Sequence, residues 1–492
     1  MFNSVMFKDN DRIPKPILPG NSIFQDLELT KLFTQVNQIS GYTISDFNYQ
    51  PLNDSADIVY RQQVFNDLKD KSVFQAVQKF VDQMTVMYDK QVTILGNDSK
   101  EARDIQLVNI LDSQLKAVES LQAALQSHQI SSEALKNFFS YLKEYLHSEI
   151  VINIKNDIQY VRNDFQNVFY RLSFCGRDVQ IEAYPSKRES IDDKFREVFS
   201  SVFEHPGKML SPIKMTFVSP KFGINNLQVN ILKALSKLYS QPFAELNRFF
   251  DNYSQYEDRL MVRIVSELKF YLVWGKVENS IEEKTNLNFT NAKILRSGTE
   301  KVKGGFDFNL AISKLEDCIK GNIVTNDFEI SPSKPFLVVS GPNQGGKTTF
   351  ARMIGQIYYL MNLGIPVPGS NAKLRIRTKL FTHFDRQESS RHLTGLLESD
   401  VRRIHDIIEK IDDSSFVILN ELFSSTTAAD ASELGDEVLN YLIKRKVSGV
   451  YVTFLESLGS HKYVQPMMSQ VDDKGKRLFR IIPQKLDNKA YM

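Results

Sequence analysis

The stretch Phe336-Leu337-Val338-Val339-Ser340-Gly341-Pro342-Asn343-Gln344-Gly345-Gly346-Lys347-Thr348-Thr349-Phe350-Ala351-Arg352-Met353-Ile354 decides the reading of the second half of the chain. Its apolar run 336–339 predicts a strand, and residues 349–354 predict the opening turns of a helix. Between them, residues 341–348 satisfy the phosphate-loop spacing G-x-x-x-x-G-K-[ST] in full. Glycines let backbone N–H groups turn inward around phosphate oxygens, and the helix start adds partial positive charge. The expected cofactor-binding set, for a nucleotide, is Gly341, Pro342, Asn343, Gln344, Gly345, Gly346, Lys347, Thr348 and Thr349. Lys347 is expected to reach the β- and γ-phosphates, and the Thr348 hydroxyl to ligate Mg²⁺.

A second apolar run, Phe416-Val417-Ile418-Leu419, ends in Asn420-Glu421, the position of the second acidic motif in phosphate-loop NTPases. There an Asp ordinarily holds Mg²⁺ through water and a following Glu polarises the attacking water. Glu421 fits the base role, so Glu421 and Lys347 form the expected catalytic pair. Asn420 is neutral, and its amide oxygen is a weaker metal ligand than a carboxylate; Thr348 and Asn420 are the expected metal ligands.

Working outward, short fully apolar runs alternate with amphipathic segments from residue 280 onward, the mark of a sheet covered on both faces. Residues 26–279 read differently. Leu107, Leu111, Leu115, Val118, Leu121 and Leu125 recur at steps of three and four, which lays one apolar stripe along a helix. Leu135, Phe138, Leu142, Tyr145 and Leu146 repeat the pattern after a polar break in which Ser132 is a candidate N-cap. A further helical pair is expected over 227–239 and 243–273, with Pro242 where a helix can start. Residues 178–225, with Pro185, Pro206, Pro212 and Pro220, read as a short insertion between helical arms. The fold class expected is α + α/β: an N-terminal arm (1–25), a helical domain (26–279) and a phosphate-loop domain (280–492).

With 492 residues, 42% hydrophobic and 24% charged, the chain has the composition of an ordinary globular protein, not a collagen-like or disordered one. Lys+Arg minus Asp+Glu is 61 − 59 = +2, so no global basic field points to nucleic acid. Cys175 and Cys318 stand alone, without metal-ligand spacing, and read as small buried apolar residues in a cytoplasmic protein. Lys8, Asp9, Asp11 and Arg12 interrupt any signal-peptide core, and no run of about 18 apolar residues predicts a membrane span.

The run 337–349, with its Pro342-Asn343 pair and double glycine, resembles the ATPase domain of the MutS proteins of DNA mismatch repair. Other stretches agree in order: Val324-Thr325-Asn326-Asp327, Gly364-Ile365-Pro366-Val367-Pro368, Phe381-Thr382-His383-Phe384, and Asn420-Glu421-Leu422-Phe423-Ser424-Ser425-Thr426-Thr427. Upstream, residues 59–68 look like the start of the family's core and lever helices. The resemblance implies an ABC-like ATPase that closes as a homodimer around ATP and moves lever helices on DNA. It also implies a partner contact near residues 390–394, with 424–427 as the loop between sites. Departures are specific. The mismatch-reading domains have no room here, Asn420 replaces the family's Asp, and Phe454 stands where a γ-phosphate-sensing His is usual. An ATP-controlled protein- or ribosome/RNA-interaction module, and a pseudo-ATPase that binds without hydrolysing, therefore stay open as alternatives. No nuclease constellation is visible.

Other residues have blander readings beside the functional one. The Asn343 amide is within sequence reach of a γ-phosphate, and Ile323 precedes Asn326-Asp327 where an adenine could pack or where a core Ile would do. His383 and His392 read as packing or surface histidines, and Arg386, Arg391, Arg402 and Arg403 as a solvated helix face that could also serve a partner's phosphate. Lys208, Lys214 and Lys221 with Phe217 and Phe222 are sparse for a DNA-tracking surface.

Overall fold

Strands that are apolar at every position have no solvent face, so they need helices on both sides. The computed structural model supplies them, and it describes residues 2–8, 22–44, 50–94, 96, 99–175, 178–183, 226–384 and 395–484. Two compact units emerge: residues 1–74, 130–136 and 266–492 form the first, and residues 75–129 and 137–265 the second.

The first unit holds a six-stranded sheet in the order Lys379–Phe384, Ser415–Asn420, Ser448–Val452, Phe336–Ser340, Val464–Val471, Arg477–Pro483. The first five run parallel and the last is antiparallel. Phe336–Ser340, Ser415–Asn420 and Ser448–Val452 are buried at every residue, as the apolar runs predict. One face, through Val338, Val417, Leu419 and Tyr451, packs with Ile404, Ile407, Leu439 and Leu442 from the helices Leu396–Ile408 and Ala428–Lys444. The helix Lys347–Asn362 lies on the other. There Tyr358 meets Phe416 with ring centroids 4.4 Å apart, and a Cβ on Gly355 would stand 2.8 Å from Ile418. Parallel strands bring Ser340, Asn420 and Val452 to one edge, the carboxyl end where open α/β sheets bind ligands.

A four-stranded sheet, Lys293–Leu295, Asn371–Arg375, Glu300–Gly305 and Asn326–Ile330, belongs to the same unit. Its Glu300 is fully buried and accepts from Tyr358 Oη at 2.7 Å, Arg375 Nε at 2.9 Å and the Arg377 guanidinium. This ties the sheet to the phosphate-loop helix, because a buried carboxylate is tolerated only when paired and hydrogen-bonded.

Residues 26–74 and 266–279 were expected in the helical domain and fall in the first unit, where they bury large side chains. Trp274, fully buried, packs with Phe33 and Phe308. Arg61 donates to Met6 O at 3.1 Å and Leu363 O at 2.8 Å between the rings of Phe7 and Phe270. The arm is anchored as well: Val5, Met6 and Phe7 are buried, and Glu267 accepts from Ser4 Oγ and Val5 N, each at 2.8 Å.

Among the described residues the second unit is helical apart from a hairpin of Tyr170–Cys175 with Asp178–Ala183. The stripe from Leu107 to Leu125 is buried along the helix Lys100–Gln126. Ser132 caps the helix Glu133–Leu146 by accepting from Leu135 N at 3.3 Å. The expected helix 243–273 is divided into Ser240–Tyr253 and Arg259–Lys284. Its apolar period carries across the break, but Asp258 accepts from Met261 N at 2.8 Å and starts a new helix. Of the insertion 178–225, residues 184–225 lie outside the described residues, and with them Pro185, Pro206, Lys208, Pro212, Lys214, Phe217, Pro220, Lys221 and Phe222. Cys318 is exposed, not buried as expected, because it follows the helix Phe308–Leu315 in a turn where Asp317 is left-handed (φ 58°). No helix among the described residues is long and apolar enough to cross a membrane.

Candidate nucleotide site

The loop 341–346 leaves the central strand at its carboxyl end and delivers Lys347 to the first position of the helix Lys347–Asn362. Gly341 takes φ 124°, and a Cβ there would stand 2.9 Å from Ser469 Cβ. At Gly345 a Cβ would overlap Ser469 Oγ and meet Pro342 O at 3.0 Å. Ser469 is the reason: its Oγ donates to Gly345 O at 2.7 Å from the neighbouring strand. Arg477 Nε donates to Asn343 O at 2.6 Å, so two strands brace the loop from one side. Asn326 pins the outer strand by accepting from Ile481 N at 2.7 Å and donating to Phe479 O at 3.2 Å.

Lys347 is 4% exposed, and its Nζ donates to Gly341 O at 2.9 Å and Pro342 O at 3.0 Å. The ammonium lies 4.4 Å from the centroid of the Phe454 ring. Burial holds its pKa below the ordinary lysine value, while the Glu421 carboxylate pulls the other way. Thr348 Oγ1 donates to Asn420 Oδ1 at 3.1 Å. Asn420 is buried at its strand end, in register with Phe384 on one side and Val452 on the other. Glu421 follows in the left-handed region (φ 57°), half-buried, with its N–H held by Val452 O at 2.9 Å.

The sequence-derived set thus converges: Lys347 and Thr348 from the loop helix, Asn420 and Glu421 from the adjacent strand's end, Thr349 half-buried in the first helical turn. Thr348 Oγ1 and Asn420 Oδ1 are hard oxygen donors, a set that suits Mg²⁺. Gln344 is exposed and left-handed (φ 60°), and Asn343 is exposed with its main chain engaged by Arg477. His383 is fully buried and faces Asp400, a packing histidine as expected. Arg402 pairs with Glu398 at 2.8 Å on an exposed helix face, whereas Arg403 turns inward to Phe384 O at 3.0 Å. Ile323 is half-buried ahead of the strand Asn326–Ile330. Arg386, Arg391, His392 and the partner-contact segment 390–394 lie outside the described residues. Ser469, Arg477 and Asp400 had no sequence signal, since their roles follow from sheet order and not from spacing.

Family models match two stretches of the chain. The family model for MutS domain V matches residues 337–479, and that for the MutS2 N-terminal domain matches residues 53–283. The chain is similar to the Endonuclease MutS2 of Aquifex aeolicus, 26% identical over 259 residues, 50% of this chain and 33% of that protein. The Endonuclease MutS2 of Streptococcus gordonii is 22% identical over 296 residues, 56% and 38% of the two chains. The DNA mismatch repair protein MutS of Syntrophomonas wolfei is 21% identical over 355 residues, 68% and 40%. The matches therefore span between a third and two-fifths of these relatives' lengths.

Proposed function

Because the chain belongs to the MutS-related proteins, we propose that it binds Mg²⁺–ATP at residues 341–349 and hydrolyses it slowly. The observation that carries this reading is the meeting of Thr348 Oγ1 and Asn420 Oδ1, 3.1 Å apart, beside a glycine loop at a helix start. In the proposed site the loop N–H groups and Lys347 hold the phosphates, and Thr348 and Asn420 hold Mg²⁺. The metal, when bound, neutralises charge on the phosphate oxygens. Glu421 orients and accepts a proton from the attacking water. In the proposed complex Lys347 Nζ exchanges its bonds to the carbonyls of Gly341 and Pro342 for phosphate oxygens. Asn420 supplies one negative charge fewer than an Asp, and Phe454 offers no hydrogen bond to a γ-phosphate; both favour slow turnover.

In this proposal the nucleotide closes a homodimer and the helical part moves on DNA. The support for DNA is that relatives carry the names endonuclease and DNA mismatch repair protein. The test is steady-state ATP hydrolysis with Mg²⁺, with and without duplex DNA, against Lys347→Ala. Turnover that disappears in the variant and responds to DNA supports the proposal; turnover equal to the variant's refutes hydrolysis, and indifference to DNA refutes the coupling. A second reading, ATP binding without turnover, draws on Phe454 stacked over Lys347. Mg²⁺-dependent turnover abolished by Glu421→Gln excludes it.

A further inference from the structure

The turn that carries Glu421 is held from an unexpected direction. Glu421 (φ 57°) and Phe423 (φ 63°) are both left-handed, although neither is glycine. Each such residue costs about 1–2 kcal/mol, so the surroundings must impose the conformation. One restraint is the bond from Glu421 N to Val452 O. Another is a carboxylate: Asp400 Oδ2 accepts from Phe423 N at 3.2 Å. Its second oxygen, Oδ1, lies 3.0 Å from His383 Nε2. A carboxylate at this distance accepts only, which places the ring proton on Nε2. His383 is fully buried, and its Nδ1 has no hydrogen-bond partner among the described residues. Asp400 is therefore the polar tie of this ring, and the ring in turn fixes the carboxylate.

The connections run straight to the site. His383 pairs in register with Leu419, one residue before Asn420, on the strand Lys379–Phe384. Asp400 sits on the helix Leu396–Ile408, whose Ile404 and Ile407 share an apolar cluster with Leu422 and Phe423. The helix thus grips the turn twice, through packing of its side chains and through the main-chain N–H.

We propose that Asp400 is a positioning residue for Glu421: bridging His383 Nε2 and Phe423 N, it sets the left-handed turn that aims the Glu421 carboxylate. It touches neither nucleotide nor metal. The proposal rests on the reading of Glu421 as the base of an ATPase. Charge-assisted bonds are roughly twice as strong as neutral ones, and an Asn at 400 has a single acceptor oxygen, so it keeps at most one of the two bonds, in neutral form, while an Ala removes both.

The experiment is kcat and KM for Mg²⁺–ATP in the full chain, for wild type, Asp400→Asn and Asp400→Ala, with Lys347→Ala as the blank and melting followed in parallel. Loosening a positioned group by an ångström costs on the order of 10²-fold in rate, so Asp400→Ala lowers kcat by about that factor. Asp400→Asn lowers it about tenfold, and KM stays within about twofold of wild type in both. Should Asp400→Ala fail to fold, Asp400→Asn alone decides: unchanged kcat overturns the proposal. Equal loss in kcat and affinity also overturns it, since that marks general damage to the site. Wild-type turnover no higher than the blank overturns the ATPase reading and this proposal with it, whereas an active wild type matched by both variants overturns this proposal alone.

Discussion

Gly345 and Ser469 form a contact whose energetics can be worked out from both sides. Ser469→Ala removes the donor of the 2.7 Å bond to Gly345 O and leaves that buried carbonyl without it, a cost of about 1–3 kcal/mol. Gly345→Ala installs a Cβ that overlaps Ser469 Oγ and crowds Pro342 O at 3.0 Å. The hydroxyl must swing away, so the same bond is lost, with an overpacking cost of about 1–3 kcal/mol besides. Independent effects would sum to roughly 3–9 kcal/mol, about 1–3 for Ser469→Ala and about 2–6 for Gly345→Ala. They are not independent, because each variant breaks the one bond and Ser469→Ala also removes the atom that clashes. The double variant should therefore cost no more than the worse single change, a coupling at least as large as the Ser469→Ala cost, about 1–3 kcal/mol. Urea unfolding of the four proteins measures it, and Mg²⁺–ATP affinity should follow the same pattern because the loop moves with its brace. Additivity within about 0.5 kcal/mol would refute the claim that Ser469 shapes the loop.

Other predictions follow from single side chains. Asn420→Asp returns a negative charge beside Thr348 Oγ1 and should tighten Mg²⁺ in the presence of ATP about tenfold, read from turnover against Mg²⁺ concentration; no change would exclude Asn420 as a ligand. Phe454→Ala removes a cation–π contact of about 0.5–1 kcal/mol that holds Lys347 on its own loop, so the Kd for ATP should fall about two- to fivefold, and a rise would show the ring to help binding. Asp104, 2% exposed, has its carboxyl raised to about 6, chiefly by burial, with Arg103 opposing. A carboxyl raised in the folded state destabilises fully above that value and less as pH falls through it toward about 4. Asp104→Asn should thus stabilise at pH 8, on the order of 2 kcal/mol, and flatten the stability profile between about pH 4 and 6; urea midpoints across that range check it.

Much of the site was legible because its pieces are local. The run 336–354 holds its strand, loop and helix in one stretch, and residues 416–421 announce a buried strand ending in Asn420-Glu421. The stripe from Leu107 to Leu125 and the Ser132 cap are equally local. What escaped depends on strand order. Ser469 reaches Gly345 only because Val464–Val471 pairs beside Phe336–Ser340, and Asp400 reaches Phe423 only because its helix packs on Ser415–Asn420. The break at Asp258 hid behind an apolar period that continues through it, and the burial of Ser4 to Phe7 depends on Glu267 and Tyr60, far away in sequence. Polar terminal residues reveal nothing of such partners.

The central claim, that residues 341–349 with Asn420 and Glu421 form a Mg²⁺–ATP site, is met most directly by calorimetric titration of ATP into the full chain. The account predicts saturable binding of one ATP per chain that weakens when Mg²⁺ is withheld. The same binding is lost in Lys347→Ala and weakened in Thr348→Ala only while Mg²⁺ is present. Absence of saturable binding to the wild type, or binding that Lys347→Ala leaves intact, would contradict it.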